Sequence, residues 1–396
     1  MNLLNEIFAA LAVLSLALLL WQWIAAQRFP LHRKISVAYF SPAVSILKPL
    51  KGCDDTTTES LESWLKQNYS GQIQILFGIA DANDPVCEIV RELLRIFPQF
   101  DAQLVICAES LGANAKVSTL AQLEKFAKHD LILISDADVR IPPDFLENFV
   151  APLAPPNGEW VAEGRVRGEI GLVNCFYRLA NPTTLAMQWE GIAINADFWS
   201  MVLQSQTLKP LDFALGAAIL VRRKALVEIG GFISLTNCLA DDFQLGNRIA
   251  RNGNGIALCP VVVECWDAPM NWKQVWRHQL RWARTIRVCQ PAPYFFSILS
   301  NATFWPLAWF LVSLAATETF CAPLTALAFL LLRIVLAQHL QRRFSPERKL
   351  VSPFWLVPVK DLLQVATWLG AFAGSTVEWR GQKMKLRRDG TLEDFH

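Results

Sequence analysis

Asp130-Leu-Ile-Leu-Ile-Ser-Asp-Ala-Asp138 is the stretch on which the fold turns. Its apolar run, Leu131–Ile134, reads as a strand buried on both faces, the pattern of a parallel sheet. The run ends on two carboxylates, Asp136 and Asp138, separated by one small residue. Open α/β sheets place their ligands at the carboxyl ends of the strands. Alternate residues of an extended strand end can aim at one oxygen-liganded cation, and such a cation can hold a diphosphate. Taken alone, the pair also fits a solvated turn; its weight comes from four further polar clusters in order along the chain.

Upstream of this strand the signals alternate between strand and helix. Val44–Pro49, Gln72–Ile79 and Gln103–Cys107 read as strands. Thr56–Gln67, Asp84–Phe97 and Lys116–His129 read as helices, the second opened by the cap-and-proline pair Asp84-Pro85. With Leu131–Ile134 as the fourth strand, the order β-α-β-α-β-α-β predicts an α/β domain with a mostly parallel sheet. The first strand-to-helix turn reads Lys48-Pro-Leu-Lys-Gly-Cys53 and lacks Gly-x-Gly-x-x-Gly. No Walker lysine motif is present either, so the site is expected to be built from the ends of several strands.

The other clusters supply matching chemistry. Asp81, in Asp81-Ala-Asn-Asp84, follows the second strand and can accept hydrogen bonds from a base or ribose; helix capping is the plainer role. Lys116, at the end of Gly112-Ala-Asn-Ala-Lys116, stands before a helix where it and the turn amides can meet phosphate, or it is a surface lysine. Asp241-Asp242 opens another helical segment, preceded by a strand expected within Leu211–Val221 and a turn at Gly230-Gly231. The two acids can simply complement a helix N-terminus. Asp242 is also placed to act as a general base on an acceptor hydroxyl, with Asp241 as its neighbour. Finally, Trp276–Arg287 is dense in Arg, Trp and His. It fits an interfacial helix among lipid headgroups, and Arg281 and Trp282 can close over a departing diphosphate. His278 stands beside them.

Only 18% of the residues are charged and 53% are hydrophobic, with 15 Trp and 24 Phe. Soluble chains carry about 25% charged residues, so the deficit points to a membrane. A net charge of +2 gives no reason to expect nucleic acid as a partner. The nine cysteines show no Cys-x-x-Cys spacing, which argues against zinc and against a secreted disulfide framework. Ile7–Ala26 carries no charge and, as about 30 Å of helix, matches the hydrocarbon core. Arg28, His32, Arg33 and Lys34 follow it, which predicts a cytoplasmic location for the next domain. A second apolar block is expected to cross as Tyr294–Ala316 and Phe320–Leu340, with a turn near Glu318 and with Arg333 snorkelling to the interface. Leu350–Val377, interrupted by Pro353, Pro358 and Lys360-Asp361, reads as a re-entrant or interfacial pair of short helices, with a fourth span as the alternative, followed by a basic tail.

Val44–Gly52, Asp81-Ala-Asn-Asp-Pro85, Asp136-Ala-Asp-Val-Arg140, Ala240-Asp-Asp-Phe243 and Arg281-Trp282 together resemble ceramide glucosyltransferases and their bacterial relatives, including hopanoid-associated glycosyltransferases. The resemblance implies a GT-A nucleotide-binding domain with transmembrane helices at both ends. It implies inverting transfer of a sugar, glucose above all, from a UDP-sugar to the hydroxyl of a lipid such as ceramide. A hopanoid-associated hexosyl or N-acetylglucosaminyl transfer is the alternative, and a processive polysaccharide synthase a more distant one. It further implies Asp81 at the uracil, Asp138 at Mg²⁺ or Mn²⁺ with Asp136 near the donor, and Asp242 as base. Arg281 and Trp282 belong to a Gln/Arg-x-x-Arg-Trp motif whose first position here is His278. The expected organisation is a membrane helix with its basic flank over 1–40 and a cytoplasmic transferase domain over 41–287. A membrane hairpin over 288–341 follows, then a cytoplasmic loop, re-entrant segment and tail over 342–396. The implied location is an integral membrane protein, in the inner membrane if bacterial.

Overall fold

The computed structural model describes residues 3–37, 39–155, 168–315, 321–345, 351–379, 382–387 and 390–394. Two compact units are woven from one chain. A sheet unit takes Pro30–Asn181, Gln206–Ala268 and Gly390–His396, and a helical unit takes Met1–Phe29, Pro182–Ser205 and Pro269–Asp389.

The sheet unit is built on eight strands: β1 (Val44–Leu50), β2 (Ile73–Ile79), β3 (Asp101–Ile106), β4 (Leu131–Ser135), β5 (Val139–Arg140), β6 (Ile170–Leu179), β7 (Ala218–Arg222) and β8 (Gly255–Cys265). Their order across the sheet is β3-β2-β1-β4-β7-β6-β8-β5. The first four are parallel, as the alternating sequence predicts. β7 then runs antiparallel to β4, with Ser135 opposite Ala218. The second half is mixed: β6 is antiparallel to β7 and parallel to β8, and β5 is antiparallel to β8. Every residue of β1 is buried. Its polar members are paired accordingly, for a buried polar group without a partner is costly: the Ser45 hydroxyl donates to Gln74 Oε1 at 2.7 Å.

Several local expectations shift by a turn. The helix after β2 runs Val86–Ile96, with Asp84 accepting from the Val86 amide at 3.0 Å. The helix after β3 is α-helical only over Ala115–Leu123 and tightens to a 3₁₀ turn at Glu124–Phe126. The first helix, Thr57–Leu65, takes its cap from Asp54, which accepts from the Thr56 amide at 2.9 Å; Thr56 makes no capping bond. The strand expected within Leu211–Val221 forms only from Ala218 onward.

In the helical unit, Leu3–Arg28 and Cys321–Phe344 are long and apolar enough to cross a membrane. The buried face of the first is Asn5, Ala12, Ser15, Leu19, Gln22, Ala25 and Ala26, a stripe of mostly small and polar residues that lets helices approach closely. Trp309 Nε1 donates to Asn5 Oδ1 on this face at 3.0 Å. The span expected over Tyr294–Ala316 is broken: Pro291–Ser300 and Phe304–Ala315 meet at 46°. Leu356–Phe372 is one unbroken helix of 17 residues despite Pro358 and Lys360-Asp361, because Pro358 falls in its first turn, where no intrahelical amide is needed. The basic tail contains a hairpin of β9 (Thr376–Trp379) and β10 (Gln382–Leu386), a pairing that the charge pattern concealed. The turn expected at Glu318, and Arg348, Lys349, Arg380 and Arg388, lie outside the described residues.

Arg333 does not snorkel. It is 3% exposed and donates to Asp361 Oδ2 and Oδ1, each at 2.8 Å, and to Asp197 Oδ2 at 2.9 Å. Lys360 pairs with Asp197 as well. Asp197 sits on a π-helical turn, Ala193–Phe198, inside an otherwise α-helical segment. Two acids and two bases thus neutralise one another away from water, and Thr303 adds a 2.6 Å hydrogen bond to Asp361. Removing one partner of such a network strands a buried charge, at a cost of about 3–5 kcal/mol. Arg333→Ala is therefore expected to lower the unfolding midpoint of the detergent-solubilised protein sharply. A midpoint equal to that of the wild type would show that these pairs do not hold the helices together.

Candidate active site

Asp136 and Asp138 stand at the carboxyl edge of the parallel strands, just past β4, as the sequence predicts. Four backbone and side-chain contacts fix their loop. The Asp136 amide donates to the Ala217 carbonyl at 3.3 Å, and the Trp266 amide to the Asp138 carbonyl at 3.0 Å. Trp64 Nε1 donates to the Val139 carbonyl at 2.9 Å. The fourth comes from Lys48, a residue that the strand pattern hid. Its ammonium is wholly buried on β1, bonds the Asp136 carbonyl and the Ser135 hydroxyl, and lies 4.6 Å from the Trp64 ring centre. Burial pushes Lys48 down to about 7, with Asp138 and Asp136 pulling the other way. A lysine as the one charged residue of a buried strand was the available signal for this prop.

Asp241 and Asp242 reach the same place from the far side of the sheet unit. They open the helix Asp241–Arg251. Gly246 lets that helix lie directly on backbone, since a Cβ there would stand 2.3 Å from the Ala214 nitrogen. The loop holding Lys116 is stitched to the loop before Asp241: Asn114 Nδ2 donates to the Cys238 carbonyl at 2.8 Å, and the Asn114 amide to the Thr236 carbonyl at 2.7 Å. Asn114 also caps the helix that starts with Ala115-Lys116, accepting from the Val117 amide. Lys116 Nζ consequently bridges Asp136 Oδ1 at 2.7 Å and Asp241 Oδ2 at 3.2 Å. Burial disfavours that charge, yet Asp136, Asp241 and Asp242 together hold the ammonium well above the usual lysine range.

Asp242 accepts from the Phe243 amide through Oδ1 at 2.7 Å. Its Oδ2 lies over Gly216, where a Cβ would come within 2.8 Å. Burial and the neighbouring Asp241 charge push its carboxyl up to about 6, against the pull of Lys116. Burial, with Asp267 and Asp136 nearby, pushes Asp138 up to about 7. Asp81 is exposed at the carboxyl end of β2, which β1 separates from β4, and accepts from the Asn83 amide at 2.9 Å. Capping falls to Asp84, which also accepts from the Gly52 amide at 2.8 Å, so Asp81 is not needed for it.

Among the described residues, no group of three or more His, Cys, Asp or Glu converges on a ready-made metal cage. The donor set nevertheless suits a hard cation. Asp138 and Asp136 offer oxygen ligands, and a cation beside Asp138 would favour the ionised form of a carboxyl that burial first, and Asp267 and Asp136 after it, push up. A ligand's phosphate oxygens would have to complete the shell.

His278, Arg281 and Trp282 belong to the helical unit, on the helix Trp272–Cys289. Its start is a capping box between Asn271 and Gln274. His278 and Trp282 face the same way, one turn apart, with ring centres separated by 4.5 Å. Arg284 bonds the Thr376 carbonyl, and Arg287 the Gly374 carbonyl at 3.3 Å, tying this helix to the hairpin segment of the tail.

A family model for glycosyl transferase family 21 matches residues 7–392. Ceramide glucosyltransferase 1 of Caenorhabditis elegans is 31% identical over 230 residues, 57% of this chain and 46% of its own length. Ceramide glucosyltransferase 3 of the same animal is 24% identical over 229 residues, 57% of this chain and 47% of its own length. The chain thus spans about half the length of these relatives. Among solved structures, a mannosyltransferase from Pyrobaculum calidifontis in complex with GDP-Man and Mn²⁺ covers 93% of this chain and 99% of its own, with a TM-score of 0.57 at 20% identity. That likeness establishes the GT-A architecture. With a family match over nearly its full length, the chain belongs to glycosyl transferase family 21.

Proposed function

We propose that the protein is a membrane-bound inverting glycosyltransferase that moves a sugar, glucose in the first instance, from a UDP-sugar to the hydroxyl of a lipid, with ceramide as the leading acceptor. The observation that carries this reading is the Lys116 bridge, which gathers Asp136 and Asp241 beside Asp242 at the ligand-binding edge of a GT-A sheet. The ceramide glucosyltransferases among its relatives supply the acceptor class.

In this reading Asp81 accepts hydrogen bonds from the uracil. Asp138 and Asp136 hold a Mg²⁺ or Mn²⁺ ion, which when bound neutralises the diphosphate. Lys116, already within reach of both acid pairs, adds a second positive charge near the phosphates. Asp242 takes the proton of the acceptor hydroxyl. Its carboxyl, held near 6, is ionised at neutral pH yet basic enough to accept that proton. His278, Arg281 and Trp282 contribute to donor and acceptor binding. The basic flank Arg28–Lys34 favours a cytoplasmic sheet unit, where nucleotide sugars are made. A processive synthase fits less well, since the described residues supply two helices fit to cross a membrane, or three if the bent pair counts as one.

The nucleotide is the point to test first. In equilibrium dialysis with Mn²⁺, UDP is expected to bind tightly and GDP at least about tenfold more weakly, the discrimination of roughly one lost base hydrogen-bond set. Equal affinity for both nucleotides, or none for either, would overturn the donor assignment.

A further inference from the structure

Within the sheet unit, the loop that delivers Asp241 and Asp242 is bonded to two other segments. Thr236–Ala240 connects a 3₁₀ turn, Phe232–Leu235, to the helix Asp241–Arg251, so its course is set by what it is bonded to. One partner is the Lys116 loop: Asn114 donates to the Thr236 and Cys238 carbonyls, and the Ala113 amide donates to Asn237 Oδ1 at 3.1 Å. The other is Gly390–Leu392, the part of the tail that belongs to the sheet unit. The Leu392 amide donates to the Asn237 carbonyl at 2.8 Å, and the Leu239 amide donates to the Gly390 carbonyl at 3.3 Å. These two bonds frame Cys238 and Thr391 as a directly opposed antiparallel pair. The Leu392 side chain is buried. Gly390 adopts a left-handed φ of 84°, and a Cβ there would stand 3.3 Å from Gln244 Nε2, so the segment passes close to the first turn of the helix that Asp241 opens. The transferase reading leaves this segment unused.

We infer that Gly390–Leu392 is a positioning strap, with Leu392 as its anchor, that fixes Thr236–Ala240 so that Asp241 meets Lys116 and Asp242 stands where the acceptor hydroxyl arrives. The inference rests on the reading of Asp242 as the base. The Lys116 loop holds this connection from one segment and the strap from another, and Asp241 and Asp242 follow within one turn. A displacement of about 1 Å at a reacting group can cost on the order of 10²-fold in rate. Asp81, Asp136 and Asp138 stand at the ends of β2 and β4 and take none of the strap's bonds, so nucleotide binding depends on it far less.

Leu392→Ala in the full-length protein tests this, because losing the anchor outweighs what two backbone bonds return. The kcat for transfer is expected to fall about tenfold or more, while the affinity for UDP with Mn²⁺ stays within about twofold of wild type. Cys238 supplies the rescue. An antiparallel pair of this kind brings its Cα atoms to about 4.5 Å, a separation that a disulfide can span. Thr391→Cys, added to Leu392→Ala and treated with oxidised glutathione, is expected to form a disulfide with Cys238, seen as linked peptides by mass spectrometry. The link should restore most of the lost kcat relative to wild type treated in the same way, and reductant should remove the gain. An unchanged kcat in Leu392→Ala, a linked protein that stays impaired, or no link at all would overturn the proposal. A second measurement does not depend on transfer. Cys238 is 3% exposed, and its alkylation by iodoacetamide should be slow in the wild type and at least about tenfold faster in Leu392→Ala. Equal rates would refute the docking of the strap whether or not Asp242 is the base. Faster labelling of the variant, in a protein whose transfer survives Asp242→Asn, would overturn the reading of Asp242 and leave the docking in place.

Discussion

Asp242→Asn is expected to abolish most of the transfer activity while leaving donor binding close to normal. Asparagine keeps the size of the side chain and the bond from the Phe243 amide, but it cannot accept a proton from the acceptor hydroxyl. General-base contributions are typically about 10²–10⁴-fold, so product formed at saturating donor should fall by that order. The pH dependence sharpens the assignment. Burial and Asp241 hold the carboxyl at about 6. A base works when deprotonated, so wild-type transfer should decline about tenfold for each unit that pH falls below that value, and the residual rate of the variant should lose this acid limb. Stability should move the opposite way. The folded carboxyl lies above the ordinary aspartate value of 3.8. Its contribution to stability is therefore full below about 4 and is lost as pH rises through about 6. At neutral pH the asparagine variant should melt higher than the wild type. Transfer within a few-fold of wild type would remove Asp242 as the base and turn attention to Asp241 or His278.

The second large effect is expected at Asp138. Asp138→Ala removes a proposed oxygen ligand from a loop that Lys48, Trp64, Ala217 and Trp266 otherwise hold in place, so the loop itself should survive. Replacing even an outer-shell partner of a metal ligand costs about 10–100-fold in metal affinity, and losing a direct ligand should cost at least the upper end of that range. In calorimetric titrations, Mn²⁺ should therefore tighten UDP-sugar binding to the wild type and have little effect on the variant. An identical Mn²⁺ effect in both proteins would place the ion elsewhere.

The parallel half of the sheet was legible because β1, β2 and β4 are buried almost throughout and read as mostly apolar runs, unbroken in β4 as far as Ser135 and interrupted only by Ser45 and Lys48 in β1 and by Gln74 in β2. Beyond β4 the signal fades. β6 and β8 pair in parallel through irregular registers with slips at Ile170/Leu172 and Cys175/Phe176, and neither carries a clean alternation. The acids of the site stood out as clusters, but their meeting did not. Lys116 meets Asp241 because Asn114 ties its loop to Cys238, a contact across more than a hundred residues that no local pattern encodes. The helical unit misled in one consistent way. Arg333, Lys360 and Asp361 were read by the cost of a lone charge in an apolar segment, whereas their partners come from distant helices and neutralise them in place. Lys48 belongs to the same class: it is a single charged residue in a mostly apolar strand, and its purpose is visible only once its partner is placed beside it.

The most direct test of the central claim is transfer itself. Purified protein in lipid vesicles would be given radiolabelled UDP-glucose, Mn²⁺ and ceramide, with a hopanoid or polyprenoid alcohol in parallel vesicles and GDP-mannose as the competing donor. The account predicts labelled glycolipid from UDP-glucose and ceramide, abolished by chelation of the metal and by Asp242→Asn. Label transferred from GDP-mannose alone, or no labelled lipid with any acceptor, would contradict it.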